Sequence, residues 1–166
     1  MARQLWLLRH ADAEPHGTRP DAERQLTARG ERQARVLGMA LVRMLGELPP
    51  VLVSPKVRAR HTAELVVGQW SSATASALQV HSPLAGGFDA PQALDALADS
   101  APSERVVLVG HEPDLSGVVG ALSGAAIDLK KGGLAMVRLG AGGGELILLL
   151  RPSELALIAG EPDIDV

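Results

Sequence analysis

A three-layer α/β/α sandwich around a mostly parallel, mixed central sheet is the fold that this 166-residue sequence predicts. Three observations lead there. Short apolar runs suited to buried strands occur at Leu5–Leu8, Val51–Val53 and Val106–Val109. They alternate with amphipathic stretches of helical period, and strands alternating with helices build a parallel or mixed sheet covered on both faces. Near the end, two apolar segments flank Gly140-Ala141-Gly142-Gly143-Gly144, a hairpin pattern that makes the sheet mixed.

Each element has a local cause. The first strand, Leu5–Leu8, runs into the polar pair Arg9-His10. A helix is predicted from about Thr27 to Glu47, because Leu37, Leu41, Met44 and Leu48 recur at spacings of three and four along one face. Pro49-Pro50 stops it. After the second strand, a helix from Val57 to Trp70 turns Ala63, Val66, Val67 and Trp70 inward. A Ser/Ala loop then leads to a short strand at Leu78–Val80, a helix at Pro91–Ala98 and a strong strand at Arg105–Val109. Pro113 suits the first turn of a helix reaching about Leu122. Leu134–Leu139 and Glu145–Leu150 form the arms of the hairpin, with glycines between them to supply positive φ. A short helix follows Pro152. No composition shift, long linker or repeat divides the chain, so residues 1–160 read as one domain and 161–166 as a loose acidic tail.

Composition removes several function classes. A formal charge of −3 gives no electrostatic footprint for nucleic acid. The absence of cysteine rules out thiol nucleophiles, disulfides and zinc-thiolate sites. Trp6, Trp70 and Phe88 are too few to stack bases. The start of the sequence lacks a signal-peptide pattern, and the run Leu115–Ile127 is too short to span a bilayer. A cytoplasmic protein without membrane or nucleic-acid partners is expected.

Three strand-to-helix corners carry the unusual polar residues: Arg9-His10, then Ser54-Pro55-Lys56-Val57-Arg58-Ala59-Arg60, then Gly110-His111-Glu112-Pro113. Taken singly, Arg58 and Arg60 read as solvated helix charges and His111 as a loop histidine. Open α/β sheets, however, bind ligands beyond the carboxyl ends of their strands. There the three corners would gather two histidines, several arginines and helix N-termini suited to an anion. The chemistry that fits is phosphoryl transfer. Arginines neutralise and orient the phosphoryl oxygens, and neighbouring cations keep an imidazole neutral enough to attack.

These residues resemble a known family. Leu8-Arg9-His10-Ala11, Ser54-Pro55 with Arg58 and Thr62, and Gly110-His111 are similar to motifs of the histidine phosphatase superfamily, which includes the phosphoglycerate mutases. The segment Asp21-Ala22-Glu23-Arg24-Gln25-Leu26-Thr27-Ala28-Arg29-Gly30 resembles the Arg-x-Leu-Thr-x-x-Gly signature of small phosphohistidine phosphatases of the SixA type. The resemblance implies a phosphoglycerate mutase-like fold and a metal-independent phosphatase that needs no cofactor. It implies His10 as a transiently phosphorylated nucleophile, Arg9 and Arg58 as clamps, His111 completing the pocket and Arg24 as a further phosphate contact. The implied partner is a phosphohistidine-bearing protein, or alternatively a small phosphate ester.

Two departures from the family pattern matter. Ala11 stands where Gly is commonest, a change the SixA-like group accommodates. The glutamate that protonates the leaving oxygen in mutases has no counterpart between Leu78 and Gln92, where Asp89 is the one carboxylate. Without a good acid, alkyl esters are poor substrates, whereas the more labile phosphoramidates suit the site. Arg29 and Arg60 read as surface charges, and His16, His61 and His81 as loop or surface histidines. No histidine spacing matches a metal motif. Asp12 and Glu14 raise a metal-dependent aspartyl phosphatase as a rival, but Arg9-His10 occupies the strand end such an aspartate needs. A non-catalytic phosphate-binding module is the remaining alternative, though a binder has no need of the nucleophile.

Overall fold

The computed structural model describes residues 2–71 and 77–166; the core of the Ser/Ala loop, residues 72–76, lies outside them. One six-stranded sheet organises the chain. Its strands are β1 (Arg3–Arg9), β2 (Val51–Val53), β3 (Leu78–Val80), β4 (Arg105–Gly110), β5 (Leu134–Gly140) and β6 (Gly143–Leu150), in the spatial order β3-β2-β4-β1-β5-β6. β3, β2, β4 and β1 run parallel, while β5 and β6 add antiparallel pairs at one side. The four parallel strands therefore end at one sheet edge.

Alternation along β1 sorts the core into two layers. Leu5 and Leu7 join Val106 and Leu108 beneath α3 (Ala90–Asp99) and α4 (Asp114–Ser123). Trp6 and Leu8 join Val107 and Val109 beneath α1 (Ala28–Leu45), α2 (Val57–Val67) and α5 (Pro152–Ala159). Burial on both faces is why this strand reads as an unbroken apolar run, each leucine contributing about 1.5–3 kcal/mol on leaving water.

Local chemistry sets the helix that braces the site. Thr27 caps α1 by accepting the Gly30 N–H at 3.0 Å, and its hydroxyl donates to Asp12 Oδ2 at 2.8 Å. Gly46, at φ 70°, ends the helix. Gly30 is required by proximity: a Cβ there would lie 1.9 Å from the Asp12 carbonyl oxygen. The start of α1 thus seats directly on the chain that leaves β1.

Three details differ from the sequence reading. The hairpin turn is tighter than the glycine run suggests, because the ladder pairs Gly140 with Gly143 and leaves two residues between the strands. Within that run only Gly143 has positive φ; Gly144 instead allows close approach, since a Cβ would meet the Leu122 carbonyl at 2.7 Å. α2 stops at Val67, yet Trp70 is still buried and donates its indole N–H to the Gly46 carbonyl at 2.9 Å. The acidic tail is held rather than loose. Ile164 and Val166 pack on the α1 and α5 side, Arg32 grips the Asp165 carbonyl and carboxylate at 2.8 and 3.0 Å, and Arg29 reaches the Val166 carbonyl at 2.9 Å. Its alternate apolar residues supply an anchor that a tally of acidic charge hides. Among the described residues no helix is long and apolar enough to cross a membrane.

Candidate active site

His10 leaves the end of β1 with its backbone N–H on the Gly110 carbonyl at 3.0 Å, which ties it to the end of β4. Its ring is buried, and Nδ1 lies 2.8 Å from the Ala11 carbonyl. A carbonyl can only accept, so Nδ1 carries the proton and Nε2 presents a lone pair. Arg58, in the first turn of α2, donates its Nε–H to that Nε2 at 3.2 Å. Thr62 locks the two elements together: its Oγ accepts the Ala11 N–H at 3.0 Å and donates to the Arg58 carbonyl at 2.7 Å.

The cations around His10 are fixed through one carboxylate. Asp21, in a 3-10 turn at Asp21–Glu23, accepts from Lys56 at 3.0 Å and Arg58 at 3.3 Å on Oδ2, and from Arg24 on Oδ1. Its backbone carbonyl takes a second Arg58 N–H at 2.7 Å. The Lys56 hydrogen bond, then Arg24 and Arg58, hold the Asp21 carboxyl far below the usual carboxylate range. Arg24 is buried as deeply as His10 and also donates to the Glu14 carbonyl at 2.7 Å.

His111 follows β4, its ring centroid 5.2 Å from that of His10. Its Nε2 shares a 2.7 Å hydrogen bond with Ser54 Oγ, from the corner after β2. Burial pushes both imidazoles down to about 3, with Arg58 and other cations acting in the same direction, so both are neutral at physiological pH. Two buried side-chain atoms lack a hydrogen-bond partner among the described residues, Arg9 Nε and His111 Nδ1. Arg9 is otherwise steadied by donating Nη1–H to the Leu129 carbonyl at 3.0 Å. Both unpartnered atoms belong to residues of the same pocket, and buried polar atoms of that kind call for a partner.

That pocket measures about 180 Å³ and is lined by Arg9, His10, Arg24, Arg58, His111 and Lys131, with Ala13, Glu14, Pro15, His16 and Glu112 completing its wall. A depression of about 380 Å³ lies apart beside Arg60 and His61, and one of about 440 Å³ beside Arg29 and Arg151 adjoins the pocket through Arg9 and Lys131. Neither gathers the buried histidines. A neutral imidazole nitrogen ringed by guanidinium groups is arranged to meet a tetrahedral oxyanion.

All five residues singled out in the sequence, Arg9, His10, Arg24, Arg58 and His111, therefore line one pocket. Asp89 does not join them. It caps α3, accepting the Gln92 N–H at 3.0 Å while Gln92 returns the bond. Arg29 and Arg60 are exposed, outside the pocket wall. Asp21 and His16 are missed by sequence reasoning. Asp21 could have been sought three residues before Arg24, one turn away, whereas nothing local marks His16 as more than a loop residue.

The family model of the histidine phosphatase superfamily (branch 1) matches residues 5–81. An uncharacterised Picosynechococcus protein is 31% identical over 169 residues, covering 92% of this chain and 98% of its own. A Nakamurella multipartitia protein assigned as a phosphohistidine phosphatase SixA superposes with a TM-score of 0.76 at 27% identity, over 92% of this chain and 97% of that one. The protein histidine phosphatase SixA complexed with tungstate superposes with a TM-score of 0.75 at 25% identity, over 92% and 99%.

Proposed function

This chain belongs to the histidine phosphatase superfamily, branch 1, and is a phosphatase, and from that premise we propose that it dephosphorylates phosphohistidine on a signalling or phosphotransfer protein, without a metal. The observation that carries the reading is the neutral His10 ring, its Nε2 lone pair set among Arg9, Arg24 and Arg58. Arg9, Arg24, Arg58 and His111 Nδ1 take the phosphoryl oxygens. The Arg58 N–H that rests on His10 turns to one of those oxygens, and Nε2 then attacks phosphorus. Positioning and charge neutralisation supply most of the acceleration, as phosphoryl transfer requires. Water then attacks the phosphorylated His10 and releases inorganic phosphate.

Similarity to SixA proteins favours phosphohistidine over an alkyl ester. The test compares kcat/KM for a phosphohistidine-bearing phosphotransfer domain with sugar, serine and nucleotide phosphates. Preference for the protein by about 10²-fold or more is expected. An ester that matches or exceeds it would overturn the substrate assignment while leaving the nucleophile intact.

A further inference from the structure

We propose that His16, which lines the wall of the His10 pocket beside Asp21, is the proton donor to the leaving group. The inference builds on His10 as nucleophile, but not on which phosphorylated compound is the natural substrate. His16 occupies the turn after Pro15, closed by the Thr18 N–H and hydroxyl on the Pro15 carbonyl at 3.3 and 2.9 Å, with Gly17 at φ 90°. The antiparallel bridge between Ala13 and Leu26 anchors the base of that turn. The His16 side chain is 85% exposed, yet it lines the wall of the His10 pocket, with Nδ1 3.8 Å from Asp21 Oδ1.

The other proton-bearing groups of the wall are committed elsewhere. Glu112 binds the Ser116 N–H at 2.9 Å with one oxygen and the Ser116 hydroxyl with the other. Glu14 accepts the Gln25 N–H and the Arg19 guanidinium, each at 3.0 Å, which keep it ionised. His111 is buried and neutral, bonded to Ser54. Guanidinium and ammonium groups are too weakly acidic to give up a proton near neutral pH. An imidazole side chain is suited to that task.

In the first half-reaction, a P–N bond forms to His10 Nε2 as the bond to the departing group breaks. The departing nitrogen or oxygen group keeps the electron pair and takes its proton from His16. In the second, water attacks phosphorus, the bond to His10 breaks, and the water proton returns to His16.

His16→Gln and His16→Ala should be assayed on phenyl phosphate, whose leaving group is basic, and on p-nitrophenyl phosphate, whose leaving group departs unaided. Because the side chain is exposed, both variants should melt with the parent. A loss of about 10²-fold in kcat/KM on phenyl phosphate, against less than about threefold on p-nitrophenyl phosphate, is expected. Equal losses on both compounds, or none on either, would overturn the assignment. The comparison is independent of the phosphohistidine assay, so the two readings fail separately.

Discussion

The parallel and antiparallel parts of this one sheet end very differently. Where β1, β2 and β4 finish, the chain delivers His10, Ser54 and His111 to a single edge, buried and interlocked. Where β5 turns into β6, it delivers a two-residue turn and an exposed ion pair between Arg138 and Glu145. Burial differs as well, since β1 and β4 are buried on both faces while β6 alternates between exposed and half-buried residues. The difference that builds the site is direction: parallel strands bring remote corners of the sequence to the same place, whereas antiparallel neighbours send successive corners to opposite edges. The contrast predicts that substitutions at the parallel ends cost activity out of proportion to stability, and that the hairpin end is silent in catalysis.

The largest expected effect comes from the centre of the parallel edge. His10→Ala should lower kcat/KM by at least about 10³-fold on every substrate, with no acid-labile, alkali-stable phosphoenzyme left to trap. A variant turning over at the parental rate would end the nucleophile assignment.

An intermediate effect should appear in stability against pH. His10 and His111 bind protons at about 3 in the folded protein, against 6.5 for the ordinary side chain. Between those values the unfolded chain holds more protons. Stability is therefore full above pH 6.5 and falls as the pH is lowered toward 3, by up to about 1.4 kcal/mol per pH unit for each histidine. Urea denaturation from pH 4 to 8 measures this slope. Replacing His111 by Gln should flatten it, and an unchanged slope would contradict a neutral, buried His111.

The smallest effect belongs to the hairpin. Arg138→Ala removes an ion pair whose side chains are 48% and 64% exposed, and such pairs contribute little. Its kcat/KM should stay within about twofold of the parent, a null result that marks the limit of the parallel edge.

The fold was legible because its causes are local, chiefly apolar runs and helical periodicity, although α1 ends at Gly46 rather than at the paired prolines that follow. Helix ends were less so, since α2 is stopped at Gly68 while Trp70 keeps its inward place through a different bond. In the candidate site, Arg9, His10, Arg58 and His111 stand beside strand ends, where sequence order already hints at convergence. Arg24 entered through its family signature. Asp21 and His16 could not be weighed in the same way, because their importance comes from a tertiary meeting with Lys56, Arg58 and the pocket wall. Asp89 shows the complementary case: its position before a helix makes capping its first use, and it caps α3.

Gly30 shows how constraint and chemistry can part company within a single signature. Arg24 holds a charge that a lysine would partly imitate, and Thr27 has a cap that serine could replace. Gly30 tolerates no imitation, because its missing side chain is the space that the Asp12 backbone occupies. In a saturation library this inert position should therefore be among the least permissive of the segment, and its second-site revertants should map to the stretch between His10 and Ala13 rather than to α1.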